Sequence, residues 1–293
     1  LGIGAARGLA DLPAIEPRSA RSLLPERIPA VGPSTREVYL LQGCVQADLL
    51  PEVDRSTATA LAALGVHVRV PALPCCGSLH AHNGDRVGAR RLAQGVIEVF
   101  EADDLPIVLN SAGCGAHLAE LHHLFPPSDP WHARARAIAE RVVDFSVFVA
   151  PLLADRELSI APSLSPITWD DPCHLCHGQG VREEPRAVLQ AISNAEFVPL
   201  SDPEACCGSA GIYSILRPDD AREVFEPKLA SFRASGARTL VTSNPGCQLQ
   251  WTSGLRRAGV ADARVISLSE LVAHALAEAS AKPLSSGHDE THD

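Results

Sequence analysis

One cysteine pattern occurs twice in the chain, and that repetition constrains the fold more than any other feature. Cys44, Cys75-Cys76-Gly77-Ser78 and Cys114 in the first half are matched by Cys173, Cys206-Cys207-Gly208-Ser209 and Cys247 in the second. The counterparts are offset by 129, 131 and 133 positions. Two halves with the same loops in the same order imply one small domain used twice. A chain of 293 residues can bury a sizeable core without disulfide staples, so its nine cysteines are free for other chemistry.

The intervals between the cysteines alternate in period. Residues 37–44 read as a strand, 51–64 as an amphipathic helix, 66–70 as a strand, 85–102 as a helix and 106–110 as a strand, with Gly113-Cys114-Gly115 opening another helix. The second half repeats this order: strand 166–170 before Cys173, helix 184–192, strand 196–200, helix 219–234, strand 238–242, then Gly246-Cys247 opening a helix. A final strand, 264–268, and helix, 269–278, complete it. Alternating strands and helices predict an α/β protein of two pseudo-twofold-related, Rossmann-like halves with small, mainly parallel sheets. The expected organisation is a Pro-rich linker or arm over 1–36, a first cysteine-rich domain over 37–160, a second over 161–281 and a disordered tail over 282–293. Within the first domain, the helical spacing from Trp131 to Leu153 predicts a packed helix bridging the halves.

In both halves the cysteines follow strands. In parallel sheets that edge gathers loops from successive strands into one crevice, so thiols distant in sequence can converge. Cys44, Cys75, Cys76 and Cys114 then form one set of four soft donors, and Cys173, Cys206, Cys207 and Cys247 a second. Four thiolates suit an iron-sulfur cluster or a zinc ion. Neighbouring glycines bring backbone N–H groups close to sulfur and stabilise the thiolate. Buried structural thiols or a redox-active disulfide are the competing readings. Cys176 has no counterpart and is a spare thiol or an auxiliary donor beside Cys173. Of the histidines near the cysteine loops (His80, His82, His117, His122, His123, His174 and His177), His174 is the best candidate for a role next to a cluster. The rest are read as hydrogen-bonding or surface groups.

The stretches Leu41-Gln-Gly-Cys-Val-Gln46, Cys75-Cys-Gly77, Ser111-Ala-Gly-Cys-Gly-Ala116, Cys206-Cys-Gly-Ser-Ala-Gly-Ile-Tyr213 and Asn244-Pro-Gly-Cys-Gln248 resemble the cysteine-rich (CCG) domain. That domain occurs in heterodisulfide reductase B subunits, anaerobic glycerol-3-phosphate dehydrogenase and lactate-utilisation proteins. Within this superfamily the sequence is most similar to the iron-sulfur subunits of glycolate dehydrogenase (glycolate oxidase), over residues 24–278. The resemblance implies an oxidoreductase subunit that relays electrons through a cluster, [4Fe-4S] first, with zinc as the alternative in one or both sets. It also implies FAD-containing flavoprotein partners that oxidise glycolate to glyoxylate and a quinone or membrane-associated carrier, not oxygen, as acceptor. Family members begin with a ferredoxin-like domain; no Cys-x-x-Cys-x-x-Cys-x-x-x-Cys-Pro run occurs here. The chain begins at Leu1, so it is expected to be the C-terminal portion of something longer. Many superfamily members end each motif with Cys-x-x-Cys, but Ser111 and Asn244 stand at the first of those positions. Four thiolates per set instead of five argue against heterodisulfide reduction, which stays as an alternative beside a zinc-stabilised scaffold.

A net charge of −10 with no basic run argues against nucleic acid as a partner. No apolar run spans a bilayer and no signal-peptide layout opens the chain, so the expected location is the cytoplasm, with membrane contact through partners. No hydrolytic triad or phosphate loop accompanies a suitable strand.

Overall fold

The computed structural model describes residues 3–13, 24–73, 75–260 and 262–281. The first half is built on β2 (Arg36–Leu40), β3 (Val66–Arg69), β4 (Ile107–Leu109) and β5 (Val142–Asp144), parallel in the order β3-β2-β4-β5, with the short β1 (Arg27–Ile28) antiparallel at the β3 edge. The second half is built on β6 (Ile167–Trp169), β7 (Thr239–Thr242) and β8 (Arg264–Ser267), all parallel in the order β6-β7-β8. The duplication is thus visible in strand order as well as in sequence.

Parallel sheets are covered on both faces, and the strand residues alternate accordingly. Val38, Leu40 and Val108 enter a central core, whereas Tyr39, Leu41, Ile107 and Leu109 enter an outer core of the first half. In β7, Leu240 faces the outer core of the second half and Val241 the central one. Helices α5 (Arg86–Phe100), α6 (Ala112–Ala119) and α7 (Pro130–Ala139) cover the first outer face; α12 (Pro218–Ser235) and α13 (Pro245–Arg257) cover the second.

The central core belongs to neither half alone. It contains α3 (Pro51–Ala63) and α8 (Phe145–Leu153) from the first half, and α10 (Glu183–Gln190) and α14 (Leu268–Ala281) from the second. Each half sends its last helix across: α8 packs on α10, and α14 packs on α3.

Three expectations are corrected. The arm over 1–36 carries α1 (Ile3–Ala10) and β1. The bridging helix from Trp131 to Leu153 is α7, β5 and α8; Asp129 and Asp144 each cap a helix with their own carboxylate, accepting from the N–H of Trp131 and Ser146. Of these three elements, α8 is the one that packs on a helix of the second half, α10. The strand over 196–200 is reduced to a single bridge between Phe197 and Ile167, made by the Val198 N–H to the Ile167 carbonyl and the Ile167 N–H to the Glu196 carbonyl. The tail over 282–293 lies outside the described residues. Among the described residues no helix is long and apolar enough to cross a membrane.

Candidate metal centre

Four of the eight paired cysteines sit at helix starts that follow strands, and the two Cys-Cys pairs lie in loops. Cys44 begins α2 (Cys44–Leu49) after β2, and Cys173 begins α9 (Cys173–Cys176) after β6. Cys114 and Cys247 are each the third residue of a helix, α6 and α13, following β4 and β7. In the first set the Cys44 and Cys75 sulfurs are 3.6 Å apart and those of Cys76 and Cys114 3.1 Å. In the second, Cys207 and Cys247 are 3.3 Å apart, and the Cys173 thiol hydrogen-bonds Cys206. None of the cysteines is in a disulfide.

The Cys-Cys-Gly run has a physical reason in both halves. Gly77 and Gly208 adopt φ of +91° and +82°, and their N–H groups turn back to the sulfurs of Cys75 and Cys206 at 3.4 and 3.3 Å. That left-handed conformation is open to glycine without strain. Each set therefore has one sulfur that collects hydrogen bonds. Cys75 is held down to about 2 by the neighbouring Cys44 and Cys76 thiols and by the Gly77 N–H that points at its sulfur. Cys206 is held down to about 2 by the Cys173 and Cys207 thiols and the Gly208 N–H. The donors Cys44, Cys76, Cys173 and Cys207 are pushed up in return.

Cys44, Cys75, Cys76 and Cys114 line a cavity of about 250 Å³ at the junction of the halves, whose far wall includes His174 and Asn244. Among the described residues no group of three or more His, Cys, Asp or Glu side chains is placed to hold a single metal ion. What each set offers is a donor chemistry: four thiols outside disulfides, a backbone N–H aimed at sulfur, and helix starts at Cys44 and Cys114 in the first set and at Cys173 and Cys247 in the second. Four thiolates with N–H donors are what an iron-sulfur cluster requires.

Cys176 is buried, and its electrostatic neighbours are Asp171, Arg182 and Glu204; burial pushes its thiol up to about 12. His174 has Nδ1 3.9 Å from the Cys173 sulfur and stacks on His82 of the other half with ring centroids 5.3 Å apart. His117 is also central, and burial lowers its imidazole to about 4. His122 and His123 form a separate cluster with His132, and His177 pairs with Arg182 and Glu204.

The sequence marked Ser111 and Asn244 only as positions that lack a cysteine, and Lys228 not at all. Asn244 Nδ2 donates to the Cys247 sulfur three residues further on, and the Ser111 side chain helps to lower the Cys114 thiol. Lys228 lies buried beneath the second set, paired with Asp170 and donating to the carbonyls of Pro203 and Ala205 at 2.9 and 2.6 Å. Burial pulls this ammonium's pKa down, but Asp170 outweighs it and the net shift is upward. A lysine at an apolar position of an amphipathic helix was the available signal.

Comparison with known proteins agrees with this geometry. The chain is 33% identical to the "Probable glycolate oxidase iron-sulfur subunit" of Bacillus subtilis (strain 168) over 86% of its own length, and spans 57% of that relative. It is 28% identical to "Lactate utilization protein A" of Shouchella clausii (strain KSM-K16), over 76% of this chain and 92% of that one. A crystal structure of a hypothetical protein from Helicobacter pylori superimposes with a TM-score of 0.62 at 8% identity, covering 93% of this chain and 53% of that one, which supports the fold alone. Residues 38–119 and 167–252 each match the cysteine-rich domain CCG. Those two segments make up more than half of the chain and contain all eight paired cysteines, so the protein belongs to the CCG cysteine-rich domain family and carries the domain twice.

Proposed function

We propose that this chain is the iron-sulfur electron-transfer component of a complex that oxidises a 2-hydroxy acid, glycolate, with FAD on partner flavoprotein subunits. The observation that carries the reading is the matched pair of four-thiol sets, each with one sulfur collecting N–H and S–H donors. The relatives named for glycolate oxidase and lactate utilisation support a hydroxy acid as the source of electrons. A cluster of the [4Fe-4S] type, held by Cys44, Cys75, Cys76 and Cys114 or by Cys173, Cys206, Cys207 and Cys247, supplies one-electron redox chemistry when bound.

The chain's own residues fix the surroundings of that chemistry. The N–H groups of Gly77 and Gly208 and the starts of α6 and α13 stabilise negative charge on sulfur. Burial of Cys76, Cys207 and Cys247 keeps water from three of the sulfurs. The shared central core fixes the distance between the two sets. Hydride removal from the hydroxy acid falls to the flavin of a partner, and electrons leave towards a quinone or another acceptor that is not oxygen. The chain works in the cytoplasm and reaches the inner face of the membrane through its partners.

The test is anaerobic co-purification with the flavoprotein partners followed by addition of glycolate. The expected result is bleaching of the visible iron-sulfur absorption and glycolate-dependent dye reduction, both lost in Cys76→Ser or Cys207→Ser. Reduction of the flavin with unchanged iron-sulfur absorption would contradict the reading. Turnover of a mixed disulfide in place of glycolate-driven reduction would favour a thiol-disulfide reductase.

A further inference from the structure

Asn244 is the N-cap residue of α13, yet its side chain makes no capping hydrogen bond to its own helix. An Asn at this position ordinarily accepts from its own helix's second or third N–H. Here Oδ1 instead accepts, at 3.1 Å, from the N–H of Gly113, the second residue of α6 in the other half. The Ala112 N–H, one residue earlier, donates to the carbonyl of Ser243 at 3.0 Å. The first two N–H groups of the helix that carries Cys114 are therefore satisfied by the opposite half.

The other end of the same amide serves the second set. Nδ2 donates to the Cys247 sulfur at 3.4 Å. Ser111, at the equivalent N-cap of α6, does not cap its own helix either. Asn244 alone of the two reaches both a sulfur of its own half and the backbone of the opposite half.

We propose that Asn244 is a positioning residue shared by the two cysteine sets: its N–H group orients Cys247, and its carbonyl holds the start of the helix that presents Cys114. This rests on the reading that both sets hold iron-sulfur clusters. Outer hydrogen bonds of this kind typically change metal affinity by about 10–100-fold.

Two substitutions separate the two ends of the amide. Asn244→Ser keeps a hydroxyl donor for Cys247 and loses the acceptor for Gly113. Asn244→Asp keeps an acceptor for Gly113 and loses the donor. The experiment reconstitutes the full chain anaerobically with iron and sulfide and follows iron loss to a chelator, with Cys207→Ser isolating the first set and Cys76→Ser the second. In the Cys207→Ser background, Asn244→Ser is expected to speed iron loss about tenfold and Asn244→Asp to leave it unchanged. In the Cys76→Ser background the order reverses. Because each substitution is harmless in one background, general misfolding cannot produce this crossed pattern. The proposal is overturned if both substitutions act on the second set alone, if both act equally on the two sets, or if neither acts. Failure of the underlying reading is distinct: the reconstituted parent chain would then hold no acid-labile sulfide.

Discussion

A Cβ on Gly208 would meet the carbonyl oxygen of Ala221 at 2.4 Å, in a residue whose φ is +82°. Gly236, the C-cap of α12, has a similar φ of +73° but open space around it. Left-handed backbone costs an L-residue roughly 1–2 kcal/mol, so Gly236→Ala is expected to lose about 1 kcal/mol and Gly208→Ala at least about 2 kcal/mol. Urea unfolding of the two metal-free variants measures the difference; equal losses would mean that the Cys-Cys-Gly turn relaxes around the added methyl. Cysteine spacing made this turn legible in the sequence, because two vicinal Cys-Cys-Gly runs at matched offsets have few other physical explanations. Ser111 and Asn244 were visible only as places where a further cysteine is missing. Their bonds to sulfur depend on side-chain direction at a helix start, and Asn244's second bond on a surface contributed by the other half.

The helices beneath the cysteine loops show that duplication in sequence is not duplication in electrostatics. Leu41 precedes Cys44 by three residues as Asp170 precedes Cys173, and Ile97 follows Cys76 by 21 as Lys228 follows Cys207. All four side chains are buried, yet the first pair is apolar and the second an ion pair. Removing one partner of a buried pair strands the other charge at a cost of about 3–5 kcal/mol, whereas an apolar replacement of both is often neutral or stabilising. Lys228→Met is therefore expected to destabilise the metal-free chain by about 3–5 kcal/mol, and Asp170→Leu combined with Lys228→Met to recover most of that loss. Additive losses in the double variant would contradict the comparison with the first half. Asp144, which caps α8, gives a pH-dependent case: burial raises its carboxyl from 3.8 to about 6, against the hydrogen bonds it accepts from Ser146. A raised carboxyl binds its proton more tightly in the folded chain, so the cost of ionising it is full above pH 6 and vanishes below the unfolded value of 3.8. Asp144→Asn is expected to raise stability at pH 7.5 by on the order of 2 kcal/mol and to do nothing at pH 3.5. Helical spacing on either side hid β5 between α7 and α8, because three residues, of which Asp144 alone is buried, are too few to show a period of two.

At the scale of the molecule, the exchange of α8 and α14 makes one central core out of two halves. Neither 37–160 nor 161–281 encloses its own inner face, so each expressed alone is expected to lack a cooperative unfolding transition, and the two co-expressed to regain one. Cooperative unfolding of either fragment by itself would show that the exchanged helices are dispensable. Sheet direction was readable from the alternating periods, whereas strand order and the exchange were not, since nothing in a helix's own sequence states which half it packs against. The same shared core joins the two cysteine sets, as the proposed two-centre electron carrier requires. Its most direct test is iron, zinc and acid-labile sulfide analysis of the anaerobically purified chain together with its Cys76→Ser and Cys207→Ser variants. The account predicts iron and sulfide in equal amounts, on the order of four of each per cysteine set, with about half lost in either variant. Zinc without sulfide, or a metal content unchanged by both substitutions, would contradict it.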